Sequence, residues 1–199
     1  MNLDKLIFVD LETSGFDPEQ YEIIQVSAVD CFTGKKFNQY VKFDVKTASR
    51  SALETNHYWE NEKLWEEKGL TQKEAFHKFQ DWLSERMYQV RKRKDGTSFN
   101  TCTVAGHNLS GFDINFIREW ENMCFGKLDI DYACYDTLYL ARWVLPDLES
   151  HRLESLCEYY GIETKGLHNS MKDVLCNIKV AYKMLESIGI TPKWCKNLL

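Results

Sequence analysis

The chain has 199 residues, 44% of them hydrophobic and 28% charged, with 10 glycines, 3 prolines and a formal net charge of −5. At roughly 150 residues per domain this length makes one domain, able to bury about 70% of its unfolded surface without disulfides or a structural metal. The composition excludes collagen-like, linker-like and disordered chains, and the net acidity counts against a protein that coats nucleic acid with a basic surface.

Taken in chain order, residues 6–9 are a short apolar run ending in Asp10 and read as a buried strand. Residues 22–31 and 35–43 follow, rich in Val, Ile and Phe around Thr33-Gly34, which predicts a three-stranded antiparallel opening. From Thr71 the period changes. Thr71 and Glu74 have the spacing of a capping box, and Ala75, Phe76, Phe79, Trp82, Leu83, Met87 and Val90 follow at helical intervals.

Residues 91–100 read as irregular: Arg91, Lys92, Arg93 and Lys94 are followed by the turn signal Asp95-Gly96. Residues 102–105 are a strand, and Phe112, Phe116, Ile117, Trp120 and Met123 mark an amphipathic helix. A short strand near 132–135 and helices near 137–144 and 153–160 come next, and a last helix carries Met171, Val174, Leu175, Ile178, Ala181 and Leu185 on one stripe. Strands first and strand-helix alternation afterwards predict an α/β fold, a mixed central sheet of about five strands, the first three antiparallel, flanked by helices. The expected organisation is one domain over 1–188 and a tail over 189–199, for which docking through Trp194 and fraying are both open.

Seven cysteines occur, none in a C-x-x-C pair. The odd count and spacing read as reduced thiols in an intracellular, cytoplasmic chain. No apolar run approaches the ~18 residues of a membrane span, and the start lacks a signal-peptide core, so no membrane association is expected.

The chemistry gathers at three places. Asp10 and Glu12 lie two apart on a strand, so both side chains leave the same face. Asp113 opens an apolar helix after the strand at 102–105, where a helix cap is the simpler explanation. Asp173 sits in the first turn of the last helix, with His168 just before it. Together, four carboxylates at strand ends and helix starts are able to meet where open sheets usually place their sites. Oxygen ligands without a cysteine suit Mg²⁺ or Mn²⁺, and two divalent ions would offset four negative charges.

The run Val9-Asp10-Leu11-Glu12-Thr13-Ser14-Gly15-Phe16 followed by Ile23-Ile24-Gln25-Val26 resembles the first motif of the DEDDh, DnaQ-like 3′-to-5′ exonucleases. Asn108 through Phe112-Asp113 resembles the second, and His168 to Asp173 has the five-residue spacing of the third. Asp136-Thr137-Leu138 and Leu153-Glu154-Ser155-Leu156-Cys157 resemble the intervening helices. Gln25, Ser14 and Ser170 depart from the family's usual Glu, Thr and Ala.

The resemblance implies a ribonuclease H-like fold and a 3′-to-5′ exonuclease that releases 5′-mononucleotides from DNA or RNA by a two-metal mechanism. It implies Asp10, Glu12, Asp113 and Asp173 as ligands of two Mg²⁺, with Mn²⁺ able to substitute, and His168 as the general base. Thr13, Phe16 and Asn108 are the implied substrate contacts, Thr13 at the terminal 3′ hydroxyl and Phe16 stacking on terminal bases. The expected partners are a single-stranded 3′ end and a polymerase or other replication or repair protein. Arg91, Lys92, Arg93 and Lys94, with Arg86 nearby, are candidates for phosphate attraction, against the simpler account of a solvated loop. The competing reading is a non-catalytic nucleic-acid-binding or scaffold module on the same fold.

Overall fold

Burial on both faces makes the first strand, β1 (Leu6–Thr13), the centre of the molecule. The computed structural model, which describes residues 3–199, sets β1 between an antiparallel partner, β2 (Ile23–Asp30), and a parallel one, β5 (Ser98–Gly106). β3 (Lys36–Tyr40) extends the antiparallel side. β4 (Gln89–Lys92) pairs with the beginning of β5, while β6 (Ile130–Asp136) runs parallel to its later part. The sheet is mixed and six-stranded, one strand more than the sequence pattern suggests, in the order β3-β2-β1-β5-β4 with β6 also on β5.

The two-residue period of β1 sorts the core into two layers. Ile7, Val9 and Leu11 pack on one side with Phe76 and Phe79 of α3 (Gln72–Ser84) and Phe116 and Trp120 of α4 (Asp113–Cys124). Leu6 and Phe8 pack on the other with Val174, Ile178 and Ala181 of α7 (Ser170–Ser187). α5 (Thr137–Val144) and α6 (Leu153–Tyr159) complete that second layer through Ala141, Leu156 and Cys157. Asp10 and Glu12 continue the Leu6–Phe8 series, so the strand aims its carboxylates toward the α7 side.

The sequence pattern leaves 44–70 unassigned, and the structure places two helices there, α1 (Arg50–Thr55) and α2 (Tyr58–Lys68). α2 buries only Tyr58 and Trp65, and the Trp65 indole N–H donates to the Ile24 carbonyl at 2.8 Å. So narrow a buried stripe gives little helical periodicity to read.

Two expectations need correction. The helix begun by the Thr71–Glu74 capping box ends at Ser84, so Met87 and Val90 lie beyond it, and Val90 belongs to β4. Residues 91–100 are not irregular: β4 and β5 form a hairpin, with Gly96 at φ 86 in the turn. β4 carries the charged, exposed Arg91 and Lys92, and its partner segment of β5, Ser98 to Thr101, is polar apart from Phe99, so no alternating apolar pattern marks the hairpin. The tail docks: Trp194 is 5% exposed, meets Phe8 edge-on at 5.4 Å and donates its indole N–H to the Leu3 carbonyl at 2.8 Å. All seven cysteines are free thiols, and among the described residues no helix is long and apolar enough to cross a membrane.

Candidate active site

β1 delivers Asp10 and Glu12 to one face, and α7 brings Asp173 to them from its first turn. One carboxylate oxygen from each of the three lies within 4.8 Å of the others. Asp113, the first residue of α4 and 4% exposed, adjoins this cluster: its Oδ1 accepts the Leu11 N–H at 3.0 Å, from the peptide between the two β1 carboxylates. Asp113 is therefore neither a simple helix cap nor a member of the tight threesome. It stands behind the threesome, bonded to the strand that carries Asp10 and Glu12.

The helix starts that supply two of these groups are built locally. Asn169 caps α7 by accepting the Lys172 N–H, and Asp173 Oδ2 accepts the His168 N–H at 3.1 Å. Ser170 bonds Ser27 of β2 at 2.7 Å between hydroxyls, which moors the α7 start to the sheet. On the other side, Asp136 collects the N–H groups of Asn108 at 2.9 Å, Ser110 at 3.0 Å and Leu138 at 3.0 Å, so the loop before α4 is held by the residue that caps α5.

Electrostatically the cluster lacks a counterion. Burial, reinforced by Asp113, Asp173 and Glu12, pushes the Asp10 carboxyl well above its ordinary range. Burial with Asp173 and Asp113 does the same to Glu12. Burial raises Asp113 to about 8 against the opposing Leu11 hydrogen bond, and Asp173 to about 7 against that of His168. Among the described residues none of the four forms an ion pair. Converging carboxylates that form no ion pair among the described residues, offering only oxygen ligands, fit hard divalent cations.

His168 is exposed, has a left-handed backbone at φ 65, and lines a cavity of about 310 Å³ together with Asp10 and Asp173. His107, Arg152 and Glu154 line the same cavity, and the sequence pattern singles out none of them. His107 follows directly on β5, and burial lowers its basicity. Its Nδ1 lies 3.1 Å from the Thr137 hydroxyl. A polar residue at the first position past a buried strand is the signal that would have marked it. His57, also left-handed at φ 52, brings its ring centroid 6.5 Å from that of His168.

The remaining candidates lie outside the lining of this cavity. Thr13 is buried, donates its hydroxyl to the Gly15 carbonyl at 2.6 Å, and accepts the Asn56 side-chain amide at its own carbonyl at 3.0 Å. Phe16 is 71% exposed and touches only the edge of Phe112 among aromatic rings, at 6.4 Å. Asn108 is exposed and left-handed at φ 56, and its side chain lies against Gly111. Arg86 is removed from any phosphate-binding role: it is 2% exposed, pairs with Asp30 and stacks at 3.8 Å on Trp82.

Comparison with known proteins places these features in context. The RNase T family of exonucleases matches residues 7–181. The DNA polymerase III subunit epsilon of Aquifex aeolicus is 26% identical over 191 residues, covering 92% of this chain and 81% of that protein. The PolC-type DNA polymerase III of Thermotoga petrophila is 29% identical over 191 residues, covering 93% of this chain but 12% of that protein. Among solved structures, E. coli Exonuclease I in complex with a dT13 oligonucleotide superimposes with a TM-score of 0.70 at 20% identity. The overlap covers 92% of this chain and 41% of Exonuclease I, so the chain spans about two fifths of that enzyme.

Proposed function

The chain belongs to the exonuclease family and is a metal-dependent 3′-to-5′ exonuclease, and from that premise we propose that Asp10, Glu12, Asp113 and Asp173 hold two Mg²⁺ ions, for which Mn²⁺ can substitute. The observation that carries this reading is the convergence of three carboxylate oxygens within 4.8 Å of one another, none of them in an ion pair among the described residues. Divalent ions bound there supply charge neutralisation at the phosphodiester and acidify the attacking water.

The chain's own groups do the rest. His168, on the rim of the cavity that Asp10 and Asp173 line, takes the proton of the attacking water as general base. Its backbone N–H, fixed on Asp173, keeps the base in step with the carboxylates. Thr13 and Glu12, adjacent at the end of β1, grip the terminal 3′ hydroxyl and so direct cleavage to an end. Phe16, exposed over the same strand end, stacks on a terminal base, and Asn108 contacts the strand beside it.

The substrate we assign is a single-stranded 3′ end, DNA in preference to RNA. The dT13 ligand of the Exonuclease I structure and the polymerase III names of the relatives support this choice. The relation to an epsilon subunit supports service to a polymerase or another replication or repair protein. We assign the catalytic domain to residues 1–188, with 189–199 as a tail packed upon it. Seven free thiols support a reducing, cytoplasmic setting.

The test is release of mononucleotides from 3′-labelled single- and double-stranded DNA and RNA in Mg²⁺, Mn²⁺ or EDTA. We expect metal-dependent release fastest from single-stranded DNA, abolished by Asp10→Ala or Asp113→Ala in protein that still folds. Undiminished release from either variant would remove the metal assignment, and inertness on every substrate would favour a binding module.

A further inference from the structure

The four consecutive cations of the β4–β5 hairpin stand at the end of the sheet away from the carboxylates. β4 pairs only with the start of β5, from Ser98 to Thr101, whereas the cleft begins where β5 ends at Gly106. At about 3.3 Å of rise per residue, Phe99 and Gly106 are roughly 23 Å apart. The hairpin buries little of itself, since every residue from 91 to 98 is exposed, so core packing does not explain it.

A cavity of about 420 Å³ opens against it, lined by Arg91, Arg93, Phe99, Lys127 and Tyr132. Two aromatic faces there are covered by guanidinium groups: Arg93 lies 4.7 Å from the Phe99 ring centre and Arg118 5.0 Å from that of Tyr132. Asp131 pairs with Arg91. Among the described residues Lys92, Arg93, Lys94, Arg118 and Lys127 form no ion pair, and Asp95, Glu121, Asp129 and Asp131 oppose them nearby, Glu121 accepting from the Leu128 N–H and the Tyr132 hydroxyl. In a chain of net charge −5, this is a local cationic surface interleaved with rings.

We propose that the hairpin and its cavity form a second binding site for single-stranded nucleic acid, upstream of the 3′ end held in the cleft. Phosphates lie against Arg91, Arg93 and Lys127, and bases pack beside the Arg93–Phe99 and Arg118–Tyr132 pairs. Cations that neutralise phosphates and π-faces that accept any base are what sequence-independent single-strand binding needs. The assignment of the bound strand as the enzyme's own substrate rests on the exonuclease reading. At 3.4 Å per nucleotide in a stacked strand, 23 Å corresponds to about seven nucleotides. A strand much shorter than that fills the cleft alone.

The experiment compares binding of 5′-labelled dT4 and dT20 by fluorescence anisotropy, with Ca²⁺ in place of Mg²⁺, for the wild type, Arg93→Ala and the double variant Arg93→Glu/Lys127→Glu. Circular dichroism confirms folding. The wild type should bind dT20 at least tenfold more tightly than dT4. The double variant should lose that preference, Arg93→Ala should lose part of it, and the slope of log affinity against log salt for dT20 should fall by roughly 1.4, as two phosphate contacts predict. Unchanged dT20 affinity and salt slope would overturn the proposal and leave the patch to an acidic protein surface. Equal losses for dT4 and dT20 would overturn it too, by locating the damage in the cleft. A hairpin-dependent preference for dT20 in a protein that degrades nothing would uphold the second site and sink the exonuclease assignment instead.

Discussion

His168 is held in a left-handed backbone conformation, φ 65, that costs a side-chain-bearing residue roughly 1 kcal/mol or more. The turn places its N–H on Asp173 and its ring at the cavity of the carboxylates, so the strain is stored beside the proposed site. Replacing His168 by Gly relaxes the backbone and removes the proposed base. His168→Gly should therefore melt at a slightly higher temperature than His168→Ala, while both lose turnover by about 10²- to 10⁴-fold and keep binding an oligonucleotide. Thermal melts read against single-turnover rates check this, and equal loss of binding would give His168 a structural role. The residues around it divide by legibility. Asp10, Glu12, Asp113, His168 and Asp173 are legible as candidates only together, through the three motifs that resemble the exonuclease family, since each alone has a plainer structural account. His107 carries the weak signal of a polar residue just past β5, whereas Arg152 and Glu154, at the start of α6, reach the cavity through the packing of that helix, which no local pattern encodes.

At the scale of elements, the strands and helices that form the two core layers are legible because their apolar residues repeat with the period of the element. α2 and the β4–β5 hairpin are not, since the first buries two side chains and the second is charged on both faces. Contacts between elements are also invisible in a single segment, and Gly106 is the clearest case. A Cβ there would stand 2.8 Å from the Val9 carbonyl oxygen and 2.9 Å from Leu109 Cβ, so only glycine lets the end of β5 approach β1 beside Asp10. Gly106→Ala should cost about 1 to 3 kcal/mol of stability, as overpacking does. Because the strain falls on the peptide before Asp10, kcat should fall by more than the loss of folded protein explains. Urea midpoints and rates measured at a temperature where the variant is folded separate the two effects.

Over the whole molecule the net charge is an average of two unlike ends, a carboxylate cleft and a cationic hairpin. The cleft makes stability depend on pH in a definite sense. Asp173 and Asp113 are raised to about 7 and about 8, above their unfolded value of 3.8, so between about pH 4 and 8 the native state holds more protons than the unfolded chain. That contribution is fully present below the unfolded value and is lost as pH rises through 7 and 8. Metal-free protein should accordingly melt at a higher temperature at pH 5.5 than at pH 8. Mg²⁺ or Mn²⁺ added at pH 8 should restore stability, by about 2.7 kcal/mol at a hundredfold excess over the dissociation constant, with release of protons. Scanning calorimetry at the two pH values, with and without metal, tests both signs. No difference between them would mean that burial does not hold these carboxyls protonated in the native state.

The alternation along β1 has an evolutionary consequence. Leu6, Phe8, Asp10 and Glu12 share one side of a ribbon whose other side holds Ile7, Val9 and Leu11. Adding or deleting a single residue upstream of Asp10 would exchange the sides, driving acid into oil and grease into the cleft. A lineage carrying this gene can respell β1 one letter at a time, but it cannot lengthen or shorten the word.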